Sequence, residues 1–272
     1  MSRLNIILTE FVSGRSPTLP EFQPNIRLIK ITLCDTLSRN LSKAELKTVI
    51  IKELQLVNTN RIMSRTEVIS AKDPESASRA ASVLNKGGVI VYPTETLYGI
   101  GALASRSDAI GRIFEIKGRP HGKPIPLLVK NMEMLSQIAD TGKLVSALSK
   151  EFWPGRLTLI LKQTSTLPEL ITCGTGKIAL RISSHPFLQT LFDIIDEPLT
   201  STSANLSGDQ NLLDSRELFD AFNGKVDLVV DSGKIPESRG STIVDLTLDP
   251  PQFLREGDIK TDTLKEFIDG SS

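Results

Sequence analysis

The chain has 272 residues, 39% apolar and 24% charged, the composition of an ordinary soluble globular protein with enough length to bury a full core. Lysine plus arginine and aspartate plus glutamate both total 32, which argues against a protein held on nucleic acid by bulk charge, though not against a local basic cleft. The two cysteines, Cys34 and Cys173, form no CxxC pair, so a zinc ribbon or disulfide framework is not expected and a reducing, cytoplasmic compartment fits. No apolar run approaches the roughly 18–20 residues of a membrane helix, so no membrane contact is expected.

Residues 1–63 carry nine basic and five acidic side chains. Glu10, Glu21 and Asp35 make a poor organellar presequence, although such targeting is not excluded. Ser42-Lys-Ala-Glu45 reads as a capping box, with Leu46, Val49, Ile50 and Leu54 following at helical spacing. Residues 1–63 are therefore expected to be an extension with one helix and little other order, and Met63 is an equally natural functional start. Residues 64–272 are expected to form one domain.

From Asp73 the pattern becomes regular. Asp73-Pro74 reads as a helix start, and Gly87-Gly88 as its end. Val89–Tyr92 is a strand, followed by Pro-Thr-Glu-Thr and a loop holding Gly99 and Gly101. A helix from Asp108 ends into Lys117-Gly-Arg-Pro120. Leu127–Val129 is a short strand, and helices over 131–139 and 144–152 stop at Trp153-Pro-Gly155. Strands then fall at Leu157–Lys162 and Ile178–Ile182, a helix at His185–Ile195, and an extended segment at Pro198–Ser203. A helix near 215–222 precedes strands at Val226–Val230, Thr242–Leu246 and Gln252–Arg255. Strands mixed with helices, without strict alternation, predict an α/β or α+β domain around a twisted mixed sheet with flanking helices.

Two nucleotide motifs fail on inspection. Gly99-Ile-Gly101-Ala-Leu-Ala104 matches GxGxxA, but about 20 positions on stand Lys117, Arg119 and His121 rather than the acid that a ribose requires. Gly174-Thr-Gly-Lys177 lacks the other Walker positions, and its plainer reading is a turn before a strand; Lys177 can still meet phosphate by another geometry. What remains is a set of polar groups at strand ends: Thr94, Glu95 and Thr96; Lys117, Arg119 and Lys123; Arg181; Ser201 to Ser207 with Asn205 among them; Arg239, Ser241 and Thr242; and Arg255. The three cations within seven residues, in a loop held by Pro120 and Pro124, suit a polyphosphate cradle. Read singly, the loop is also a solvated surface and the serine run a polar turn. Together they favour a ligand site, because hydroxyls crowded behind apolar strands otherwise find few partners.

At these residues the sequence resembles the YrdC-like family of threonylcarbamoyl-AMP synthases. The resemblance runs in order through PTETLYG at 93–99, KGRPxxKP at 117–124, Trp-Pro-Gly at 153–155, ALR at 179–181, SANLSG at 203–208, GSTIVDL at 240–246 and LREG at 254–257. It implies an α/β sheet twisted around a concave, positively charged cavity. It also implies synthesis of threonylcarbamoyl-AMP from L-threonine, bicarbonate or CO2, and ATP with Mg2+, releasing pyrophosphate. The product serves threonylcarbamoyladenosine formation in tRNA, through separate threonylcarbamoyl-transferase partners and with weak tRNA or RNA contact conceivable. By the resemblance, Thr96, Arg181, Ser201 and Ser241 form the threonine pocket. Lys117, Arg119 and Lys123 meet the triphosphate, the first two also acting catalytically, while Lys177, Ser203, Asn205, Asn211 and Arg255 are further ATP contacts. Lys123 and Asn211 fall where members of the family vary, and Leu128 stands where some carry a histidine. The chain ends about 15 residues past Gly257, which the resemblance reads as the short, single-domain form. Thr94 and Thr96 are expected at the mouth of the cavity, with Gly99 and Gly101 letting the backbone pass beneath the amino acid. No general base is nominated, since Glu95 is the only nearby acid and its side chain is free to face away. His121, His185 and Cys173 read as structural. Two other readings are a carbamoyl-transfer domain of the hydrogenase-maturation type and a non-catalytic double-stranded RNA or tRNA binder.

Overall fold

The computed structural model describes residues 66–120, 122–205 and 212–270. The expected extension over residues 1–63, with its helix from Ser42, lies outside the described residues, as do His121 and Asn211. The strands are β1 (Glu67–Ser70), β2 (Ile90–Tyr92), β3 (Gly99–Gly101), β4 (Leu127–Leu128), β5 (Leu157–Lys162), β6 (Lys177–Arg181), β7 (Leu199–Thr200), β8 (Thr202–Ser203), β9 (Leu228–Asp231), β10 (Thr242–Asp245) and β11 (Gln252–Arg255). The helices are α1 (Ser76–Asn85), α2 (Ser107–Lys117), α3 (Met132–Ser136), α4 (Lys143–Phe152), α5 (Glu169–Thr172), α6 (Pro186–Phe192), α7 (Ser215–Phe222) and α8 (Thr261–Gly270).

The strands form two ladders, in the orders β1-β9-β2-β3-β8 and β11-β10-β5-β6-β4-β7. Both contain parallel and antiparallel pairs, so the mixed α/β expectation holds. The ladders are not independent. β7 and β8 are halves of one extended segment broken at Ser201: Thr202 and Ser203 pair with β3, while Leu199 and Thr200 pair with β4. A single twisted sheet was expected; the structure has two ladders sharing a bent strand.

Burial explains the continuous apolar run of β2. Val91 belongs to the larger core cluster with Tyr98, Ile110, Phe114 and Leu180, whereas Ile90 and Tyr92 belong to the smaller one with Leu84, Leu191 and Leu199. Successive residues point to opposite faces, and both faces are covered, so no polar position is tolerated.

Several expected elements shift. α1 starts at Ser76 rather than at Asp73-Pro74, because the Asp73 carboxylate accepts from the Glu75 N–H at 2.8 Å and closes a turn before the helix begins. His185 is a cap rather than part of α6, its Nδ1 accepting from Phe187 N at 3.3 Å. The loop expected at Gly99 and Gly101 is a strand paired antiparallel to β2. Its glycines meet a packing need: a Cβ on Gly99 would stand 3.0 Å from the Tyr92 ring, and one on Gly101 would stand 1.9 Å from the Thr200 carbonyl oxygen.

Gly101→Ala is therefore expected to cost about 3 kcal/mol or more, since the obstacle is the backbone of the shared strand. Gly111→Ala, inside α2 with nothing within 4 Å of the added carbon, is expected to gain instead, by about 0.5–1 kcal/mol. Urea denaturation of the two variants checks both, and equal stabilities would contradict the packing argument.

Candidate functional site

Ladder register assembles one half of the site. Arg181 ends β6, and stepping the β5–β6 register by one residue from Leu159↔Leu180 sets Thr158 beside it. Thr158 pairs with Ile243, and Ile243 with Arg255. Arg181, Thr158, Ile243 and Arg255 thus form a row across four strands, with the two arginines about 14 Å apart by backbone spacing. Long side chains close that gap. Arg255 donates to the Ser241 carbonyl from Nε and Nη2 at 3.0 and 2.8 Å and to Ser241 Oγ at 3.1 Å. Burial, followed by the nearby Arg181 charge, pulls the Arg255 guanidinium below its ordinary pKa. Ser241 Oγ also meets Thr158 Oγ1 at 2.7 Å. Arg255, expected with the nucleotide contacts, is thus tied to Ser241 of the expected amino-acid pocket.

The hairpin turn between β2 and β3 supplies the facing wall. Thr94 Oγ1 accepts from Thr96 N and Leu97 N, each at 3.1 Å, and donates to Leu97 O at 2.7 Å. Its one proton is spent there, so at the 3.0 Å contact between the two threonine hydroxyls Thr96 is the donor. Thr94, 4% exposed and expected at the mouth of the cavity, spends its hydroxyl on holding the turn. Thr96 Oγ1 in turn accepts from Arg181 Nη1 at 3.0 Å, so its role in the free protein is to aim the guanidinium. Glu95 does not face away: its Oε1 lies 3.6 Å from Arg181 Nη1. Fully buried Tyr92 donates to Thr200 O at 2.9 Å, and burial drives its phenol well above the ordinary range, with Ser201 and Arg181 opposing the shift. Ser201 is half-buried at the bend, where its N–H donates to Pro126 O at 2.8 Å.

A cationic group lies along the same bent strand. Lys117 is the last residue of α2, which Gly118 ends in the left-handed conformation at φ 58°. Only 3% exposed, its ammonium donates to Ser203 O, to Asn205 O at 2.6 Å and to Asn205 Oδ1 at 3.3 Å. Burial, then the neighbouring Arg119 charge, pull its pKa down to about 8. Ser203 Oγ donates to Asn205 Oδ1 at 2.6 Å, so the three residues are already assembled. Arg119 is half-buried and folds its own loop by donating to Pro124 O at 2.8 Å. Burial lowers its pKa, with the Cys173 sulfur opposing that shift. Lys123 is exposed.

Lys177 shares the Arg181 face of β6 by alternation, about 13 Å away along the strand. Its ammonium lies 2.9 Å from Asp245 Oδ2, beside a hollow of about 620 Å³ walled also by Lys162, Thr175 and Leu246. Burial raises the Asp245 carboxyl, but bonds from Thr247 and Lys177 outweigh it and hold the group below its ordinary value. Leu128 pairs with Arg181 in the ladder and is buried in the smaller apolar cluster, so no polar contact comes from that position. Cys173 occupies a turn at φ 49°, as its structural reading expects.

Thr158, Tyr92 and Ser183, whose Oγ donates to Glu95 Oε2, join the site without having been singled out for it. Thr158 had one visible signal, a lone hydroxyl inside Leu-Thr-Leu-Ile-Leu; the others depend on which elements the fold brings together.

The arrangement provides a pinned guanidinium with spare donors, a ring of hydroxyls, and a second group of cations on the same strand. It suits a small carboxylate beside a phosphate chain, and it contains no activated nucleophile. Among the described residues, no cluster of three His, Cys, Asp or Glu side chains could hold a metal ion. No described helix is long and apolar enough to cross a membrane.

Known proteins share this fold. The threonylcarbamoyl-AMP synthase of Pyrococcus abyssi is 34% identical over 190 residues, covering 70% of this chain and 56% of that protein. The crystal structure of P. abyssi Sua5 complexed with L-threonine matches with a TM-score of 0.70 at 32% identity, over 75% of this chain and 61% of that one. E. coli YciO matches with a TM-score of 0.66 at 32% identity, over 72% of this chain and 97% of that one. The chain thus spans about three fifths of the length of the P. abyssi relatives and nearly all of YciO. The Sua5/YciO/YrdC family model, described as "Telomere recombination", matches residues 82–257, and the chain belongs to that family.

Proposed function

We propose that this chain is a threonylcarbamoyl-AMP synthase, joining L-threonine, bicarbonate or CO2, and ATP and releasing pyrophosphate, upstream of threonylcarbamoyladenosine formation in tRNA. One observation carries the reading: the Lys117 ammonium rests on Ser203 O and Asn205 O of the bent segment 199–205, and the Tyr92 hydroxyl on Thr200 O of that segment is acted on by both Ser201 and the Arg181 charge. An amino acid and a triphosphate would then meet along one strand. The P. abyssi relatives, one named as this synthase and one solved with L-threonine, support the same assignment.

In this reading Arg181 takes the substrate carboxylate through its spare donors, as a planar fork does best. The substrate amine captures CO2 as a carbamate, whose oxygen attacks the α-phosphorus as pyrophosphate leaves. Lys117 exchanges its long 3.3 Å bond to Asn205 Oδ1 for a phosphate oxygen, and Arg119 adds a second positive charge. Magnesium arrives with the nucleotide, held by phosphate oxygens as part of the substrate. Rate then comes from alignment and from neutralising charge on the departing group. Separate transferase proteins would pass the threonylcarbamoyl group onward.

The direct test is pyrophosphate release from MgATP and bicarbonate, which should require L-threonine and fall when L-serine replaces it. RNA binding without such release would favour the non-catalytic reading. Arg181→Lys keeps the buried charge beside Glu95 but loses the fork, and should raise the KM for threonine by about 10- to 100-fold with kcat little changed. Lys117→Ala should instead lower kcat by about 100-fold. Triphosphate binding favours the charged ammonium, so affinity for an ATP analogue should fall as pH rises through the free value of about 8. A flat affinity between pH 7 and about 9 would contradict that placement of Lys117.

A further inference from the structure

Glu95 has one carboxylate oxygen accounted for and one not. Oε2 accepts from Ser183 Oγ, which itself accepts from His185 N at 3.2 Å. Oε1 is buried and has no hydrogen-bond donor among the described residues. Arg181 Nη1 stands 3.6 Å away, close enough for an ion pair but too far for a hydrogen bond. A buried carboxylate oxygen without a donor is costly, and the cost disappears when a cationic N–H group arrives. The Glu95 side chain is 11% exposed and the Arg181 side chain 8%, so little water competes.

Arg181 is pinned from one side by Thr96, and no other hydrogen bond from its guanidinium ends on a described residue. Its outward donors suit a carboxylate, while the missing donor at Glu95 lies next to it. An α-amino acid carries a carboxylate and an ammonium on one carbon. We propose that Glu95 receives the α-ammonium of the substrate whose α-carboxylate Arg181 holds, so that two adjacent side chains of opposite charge select an amino acid over a hydroxy acid. The proposal rests on the amino-acid reading given above. Four charges would then alternate, each flanked by its opposite, and the substrate carboxylate would not face Glu95 uncompensated.

The test compares two ligands on two proteins by calorimetry, with MgATP replaced by a non-hydrolysable analogue. The ligands are L-threonine and 3-hydroxybutanoate, which has the same skeleton without the ammonium. Wild type should prefer L-threonine. Glu95→Gln, which can still accept from Ser183, should weaken L-threonine by about 10- to 100-fold and leave 3-hydroxybutanoate within about twofold. Equal weakening of both ligands would mean that Glu95 only steadies Arg181, and no weakening of either would remove its role; both results overturn the inference and leave wild-type threonine binding intact. A folded wild type that binds no L-threonine overturns the amino-acid reading and this inference together. Should Glu95→Gln fail to fold, Glu95→Asp retains the charge and must keep part of the preference for L-threonine; losing all of it while still binding 3-hydroxybutanoate overturns the proposal.

Discussion

The segment from Leu199 to Ser203 is the constraint on which the site depends. It is an edge strand of both ladders, pairing with β4 before Ser201 and with β3 after it. A strand can serve two sheets only where its own direction breaks, and the break is Ser201. Thr200 is held from both sides, its N–H on Ala102 O at 2.9 Å and its carbonyl under the Tyr92 hydroxyl at 2.9 Å. Gly101 allows the β3 backbone to approach that carbonyl. The groups gathered near the bend are therefore positioned by backbone hydrogen bonds and close packing, the least adjustable parts of a fold.

The electrostatics of the site follow from how little negative charge the fold supplies there. Among the described residues, Lys117 rests on carbonyl and amide oxygens, Arg119 on its own loop, and Arg255 on Ser241. Among the described residues, the ion pairs of these cations with carboxylates are Arg181 with Glu95 and Lys177 with Asp245. Partial burial accordingly lowers the pKa of Lys117, Arg119 and Arg255. A group in that condition gains most from an anion, because the ligand restores the stabilisation that lost water withholds. None of this shows in the total charge of zero, which averages the site with the remainder of the chain.

The sequence shows most clearly what local chemistry determines. α7 and β11 fall at the expected residues, and α2 ends where Lys117-Gly118 says it should. The candidate cations and hydroxyls were legible as types at strand ends. Their partners were not, because partnership is set by long-range register: Thr158 reaches Arg181 and Ser241 only after β5, β6 and β10 align. β3 was hidden for a related reason. Gly-Ile-Gly has the local preferences of a loop, and only the Tyr92 ring and the Thr200 carbonyl, distant in sequence, make glycine the residue a strand needs there. Glu95 looked free to turn outward until β6 brought a guanidinium beside the turn.

The central claim is that one bent strand brings an amino-acid site and a triphosphate site together. A crystal structure with L-threonine and a non-hydrolysable ATP analogue tests it most directly. The account predicts the amino-acid carboxylate on Arg181 and the phosphates on Lys117 and Arg119, with the α-phosphate next to the amino acid. Ligands bound at separate places on the surface, or a nucleotide that leaves Lys117 on Asn205 Oδ1, would contradict it.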